Sequence, residues 1–139
     1  MEKIYSKLEP DKLLHIVYRL EDFSERNNVV PDENFIQCAS LRMQKGTTFK
    51  AHKHIRNERS YKDKIAQESW VVIRGTVRCI FYDTDDTVIA TPILNAGDAS
   101  FTLDGGHTYE ILEDETLVYE YKTGPYEGQK NDKVFLELK

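Results

Sequence analysis

Very little in this chain favours helix. Only "PDKLLHIVYRLEDFSER", residues 10–26, has room for a turn or two, and its "LLHIVYRL" fits a first strand equally well. There are two cysteines in 139 residues, Cys38 and Cys79, and no CxxC pair. That usage points to free, buried thiols and a reducing, cytoplasmic setting. A Cys38–Cys79 disulfide is the lesser alternative. No apolar run approaches the roughly 20 residues a membrane helix needs. The first residues mix acids with bases around a short apolar stretch, so no signal peptide is read there. There is no excess of positive charge: the formal net charge is −5 and the pI about 5.4. A global basic footprint for nucleic acid is therefore absent. The chain also lacks internal repeats and low-complexity segments.

What is present is the punctuation of an all-β chain, of a length that fits one domain over 1–139. "NFIQCASLRM" and "TTFKAHKH" read as strands. "ESWVVIRG" and "TVRCIFYD" meet at Gly75, and "TVIATPIL" follows the turn "DTDD". "ASFTL" leads into "DGG", and "HTYEIL" and "TLVYEYK" flank the acidic turn "EDE". A short "VFLEL" ends the chain after a turn-rich tail containing Tyr126, a candidate lid or dimer contact. Short, evenly spaced strands of this kind imply a sandwich or a small barrel.

Chemistry-bearing residues fall at strand spacing. Side chains alternate along a strand, so His52 and His54 share one face. Glu68 shares a face with Trp70 and Val72, and His107 with Tyr109 and Ile111. If these strands line one pocket, three imidazoles and a carboxylate converge. That donor set suits a borderline divalent metal such as Fe, Mn, Ni, Cu or Zn, whereas Ca and Mg prefer oxygen cages. An HxH pair also occurs in surface loops, and strand aromatics usually pack the core. His15, within the apolar "LLHIVY", reads as a satisfied core histidine and is left out of the site.

Glycines frame these residues, and the framing resembles the cupin superfamily. Its first motif runs Gly, five residues, His-x-His, three or four residues, Glu, six residues, Gly. Gly46, His52, His54, Glu68 and Gly75 follow it, except that thirteen residues separate His54 from Glu68. The second motif is matched loosely by Gly97, Gly105 and His107, with Leu103 in place of its proline and Ile111 where an Asn stands. The resemblance implies a double-stranded β-helix, a jelly-roll barrel, with motifs at 46–75 and 97–111 and a short N-terminal extension over 1–34. It implies one divalent transition metal held by His52, His54, Glu68 and His107. Glu58 at the family's short spacing, and Gln67 one residue away, remain alternatives to Glu68.

Around that site, Trp70, Lys50 and Arg56 are candidate pocket residues and Tyr109 a candidate acid or hydrogen-bond donor. Between residues 42 and 64, eight basic side chains stand against Glu58 and Asp63. Such a cluster either recruits an anionic substrate or pairs with acidic turns. Glu120 and Lys122 share one strand face. The expected function is a small metal-dependent enzyme acting on a small polar or anionic substrate. Its chemistry would be that of a dioxygenase or of a sugar or keto-acid isomerase, as in polysaccharide or sugar-nucleotide metabolism. The alternatives are a non-catalytic binding module and a metal-free sugar-nucleotide epimerase or ketoisomerase. Nucleic acid and membrane are not expected partners. A homodimer is expected, with "LLHIVY" and edge strands at its interface.

Overall fold

The structure, a computed structural model, describes residues 1–42, 44–50, 52, 65–124, 134 and 136. Its strands are β1 (Glu2–Tyr5), β2 (Leu13–Tyr18), β3 (Arg26–Asn28), β4 (Ala39–Leu41), β5 (Glu68–Arg74), β6 (Thr76–Tyr82), β7 (Val88–Ala90), β8 (Ile93–Asn95), β9 (Ala99–Thr102), β10 (Gly106–Ile111) and β11 (Leu117–Lys122). One 3₁₀ turn, Leu20–Asp22, follows β2. A five-stranded sheet has the order β1-β2-β9-β5-β11. A second sheet runs β10-β6-β7, with β8 also pairing β6, and β3 and β4 form a separate hairpin. Among the described residues every pairing is antiparallel.

Alternation along the strands makes the five-stranded sheet the middle of three layers. One face sends Ile16, Tyr18, Ala99 and Phe101 against Val29, Val30 and Ile36 from the segment spanning the β3–β4 hairpin. The other sends Val17 and Val72 against Val77, Cys79, Phe81 and Leu94, most of them from the second sheet. A sheet covered on both faces must be apolar on both, which is why β2 reads as a continuous run rather than an alternating one. Among the described residues the two sheets pack as a sandwich, and no strand pairing closes them into the expected jelly-roll barrel.

The N-terminal residues expected as an extension supply two members of this middle sheet, with β2 lying between β1 and β9. The "LLHIVY" expected at a dimer interface is spent inside the chain: Leu14, His15, Ile16 and Val17 have no exposed surface. A buried carboxylate ties this segment to the second sheet. Asp83, after β6, accepts hydrogen bonds from Ser6 Oγ at 2.7 Å, from Lys7 N–H at 2.7 Å and from Thr84 N–H at 2.8 Å. Burial by itself raises its pKa, but these donors win and hold it at about 2. A depressed carboxyl pKa contributes stability above about pH 4 that is lost as pH falls towards 2. Urea midpoints across pH 2–5 should therefore separate the protein from Asp83→Asn most above pH 4, and the gap should close towards pH 2.

Candidate functional site

The site forms where the first residues of β5 and β10 meet between the sheets. Trp70 and Val72 turn the same face of β5 towards the second sheet, and Glu68 follows them by the period of two. From β10, His107 donates its Nε2–H to Glu68 Oε1 at 3.0 Å. The Glu68 and His107 side chains retain 13% and 24% exposure, so the pair is sheltered yet reachable. Below it Trp70 and Tyr109 stack, with ring centroids 3.9 Å apart and an interplanar angle of 12°. The Tyr109 hydroxyl and Ser100 Oγ share a hydrogen bond of 3.3 Å. Burial pushes the Tyr109 phenol pKa up, so it stays protonated and acts as a hydrogen-bonding wall rather than a base. Trp70 Nε1–H donates to Glu120 Oε2 at 3.1 Å.

His15 lies in the same inter-sheet layer, facing Thr102 across the β2–β9 ladder while Glu68 faces Thr102 across the β5–β9 ladder. Its Nε2 sits 3.2 Å from the Tyr82 carbonyl and must be the donor there. Its Nδ1 is 3.2 Å from Thr102 Oγ1 and accepts from it. Burial pushes its pKa down to about 4, so it is neutral at physiological pH in one fixed tautomer. With both nitrogens engaged and its ring stacked on Phe81 at 4.3 Å, it is the satisfied core histidine expected from sequence.

Glycine conformations place His107. Gly46, Gly75, Gly97 and Gly105, the four framing glycines, all have positive φ. At Gly105 (φ +73) an added Cβ would lie 2.5 Å from the Tyr82 carbonyl oxygen, the atom His15 also holds. Only glycine lets the start of β10 close this tightly on the end of β6. At Gly75 (φ +89) the β5–β6 turn runs against Thr116, whose Oγ1 would be 2.2 Å from a Cβ.

The other expected residues divide clearly. His52 is exposed, with Nδ1–H donating to the Lys50 carbonyl at 3.1 Å, and Lys50 is exposed as well. His54, Arg56, Glu58 and Tyr126 lie outside the described residues. Among the described residues no group of three or more His, Cys, Asp or Glu is placed to hold a metal. Gln67 drops out as an alternative to Glu68. Its Oε1 accepts from the Phe35 and Ile36 N–H groups at 3.0 Å, and its Nε2 donates to Asn34 Oδ1 at 2.9 Å and to the Leu103 carbonyl at 3.2 Å. Residues missed in sequence are Ser100 and Thr102; Lys122, noted there only as sharing a strand face with Glu120, is paired in register with Glu68. Small polar residues alternating in "ASFT" were the available signal for the first two.

The Glu68–His107 pair offers one oxygen and one imidazole nitrogen, donors that suit a borderline divalent metal. Glu68 and His107 are two of the four residues expected as ligands. Comparison with family models, with curated proteins and with solved structures gives no match. Among the described residues no helix is long and apolar enough to cross a membrane.

Proposed function

We propose that this chain is a small metal-dependent cupin enzyme of the cytoplasm acting on a small polar or anionic substrate. The observation that carries the reading is the meeting of Glu68 and His107 from two different sheets at 3.0 Å, sheltered but not sealed. Glu68 and His107 would hold a divalent transition metal together with His52 and His54. Such a metal supplies Lewis-acid polarisation or oxygen activation at neutral pH. The chain's own groups do the rest. The Trp70–Tyr109 stack walls the site and excludes water on one side. The basic residues of 42–64 attract the substrate's negative charge. His15, neutral and fully bonded, adds no competing donor.

A second reading rests on the hydrogen bond itself. A carboxylate that accepts Nε2–H fixes the imidazole tautomer and leaves Nδ1 as the basic nitrogen, the arrangement of an oriented general base. Metal-free isomerisation or epimerisation would then run on His107, oriented by Glu68, with Tyr109 confined to the wall. A non-catalytic binding module would use the same residues without turnover.

Elemental analysis of tag-free protein separates these readings. The metal reading predicts about one transition metal per chain, lost in Glu68→Ala and in His107→Ala with the fold retained. Absence of metal after anaerobic reconstitution would overturn it. His107→Gln abolishing turnover in metal-free protein would then establish the acid–base reading.

A further inference from the structure

The edge of the five-stranded sheet at β11 carries a self-complementary pattern. Among the described residues no strand lies beyond β11. The opposite edge, β1, is shorter and its register is broken between Ile4 and Tyr5. On β11, Tyr119 and Tyr121 are 59% and 57% exposed, and their rings lie 6.2 Å apart.

The direction of the backbone groups can be fixed. Thr123 N–H donates to the Gln67 carbonyl at 3.0 Å, and the ladder continues with Lys122 opposite Glu68 and Tyr121 opposite Ser69. In an antiparallel ladder the bonded positions alternate. The backbone groups of Tyr119, Tyr121 and Thr123 therefore point into β5, and those of Glu120 and Lys122 point outward. A second β11 can add to this edge antiparallel, about a two-fold axis.

Charge selects one register. An axis through Glu120 sets Glu120 against itself, and an axis through Lys122 sets Lys122 against itself. Like charges directly opposite destabilise a pair of strands. An axis through Tyr119 sets Glu120 against Val118 and runs into the β-bulge at Leu117/Val118. An axis through Tyr121 sets each Glu120 opposite Lys122 of the second copy. In that register the outward groups of residues 120 and 122 form the hydrogen-bonded pairs, and Tyr121 packs on Tyr121 in the close, non-bonded pair.

We propose that two copies of this chain join edge to edge through β11 in this register, making one continuous sheet across the dimer. The interface lies on an edge strand, as expected, and not on "LLHIVY"; it does not depend on a metal at Glu68. Its readout is mass, so its failure leaves the site reading untouched.

Charge-swap variants test it by analytical ultracentrifugation at tens of micromolar, with circular dichroism checking the fold. The wild type should sediment as a dimer. Glu120→Lys and Lys122→Glu should each weaken self-association by about tenfold or more, since each sets like charges opposite one another in both symmetry-related pairs. Mixing the two single variants should restore dimers, because every pair across the mixed interface is then opposite in charge. The double swap should also dimerise. A monomeric wild type overturns the proposal. So do single variants that dimerise unchanged, or a mixture that stays monomeric.

Discussion

Phe81→Ala should lower the unfolding free energy by about 3–5 kcal/mol, the range for removing a large aromatic from a packed core. Phe81 has no exposed surface and sits on β6 in the apolar layer between the sheets, with Val17, Val72, Val77, Cys79 and Leu94. Its ring also stacks on His15 with an interplanar angle of 9°. The truncation therefore removes contacts from both sheets and opens space beside a buried imidazole. Chemical denaturation would give the value, and Phe81→Leu should cost clearly less because it retains most of the volume. A loss below about 1 kcal/mol would mean that this layer is not the packed core described here.

The second large effect is a pH dependence centred on His15. Burial pushes its pKa down to about 4 from an ordinary value of 6.5. Above pH 6.5 the imidazole is neutral in both the folded and unfolded chain, and stability is at its full value. As pH falls below 6.5 the unfolded chain takes up a proton that the folded chain refuses, so stability falls. The loss ends near pH 4, where the folded chain protonates too. A separation of this size amounts to about 3 kcal/mol over that window. Denaturation in chelator at pH 7, 5.5 and 4 should show this slope in the protein and its near-absence in His15→Gln, whose amide replaces the ring's donor and acceptor without titrating. An unchanged slope in the variant would assign the effect to other groups. The Asp83 contribution falls in a separate window, below pH 4, so the two can be told apart.

The strands were legible wherever apolar residues ran between turn signals. "ESWVVIRG", "TVRCIFYD", "HTYEIL" and "TLVYEYK" became β5, β6, β10 and β11 with their ends within a residue or two. "TVIATPIL" did not become one strand. Pro92 cannot donate to a ladder, so the segment breaks there, and β7 and β8 pair separately with opposite ends of β6. "NFIQCASLRM" yielded only the three residues of β4. The Phe35 and Ile36 N–H groups are taken by the Gln67 carboxamide instead of a neighbouring strand, a long-range partner that local pattern does not reveal.

The site was legible in part for a related reason. Glu68 and His107 sit on well-patterned strands, and alternation with the glycine framing singled them out; their meeting depends on β5 and β10 lying in facing sheets. His52 was placed by the same alternation, yet residues 47–50 and 52 are not strand, so the period of two has no ladder to act on there. The neutrality of His15 and the closure of Gly105 on Tyr82 depend on which strands lie side by side. No spacing within one segment encodes that.

In the proposed metal site, His107 and Glu68 are ligands and the buried His15 is not. Long-range ¹H–¹⁵N NMR of the imidazoles tests it directly, because the chain has four histidines and each reports its own tautomer. His15 should appear as a neutral Nε2–H tautomer whose signals hold still when one equivalent of Zn²⁺ is added, while the His107 signals should move and do so no longer in Glu68→Ala. A His107 that ignores the metal, or a His15 that responds to it, would overturn the proposed site.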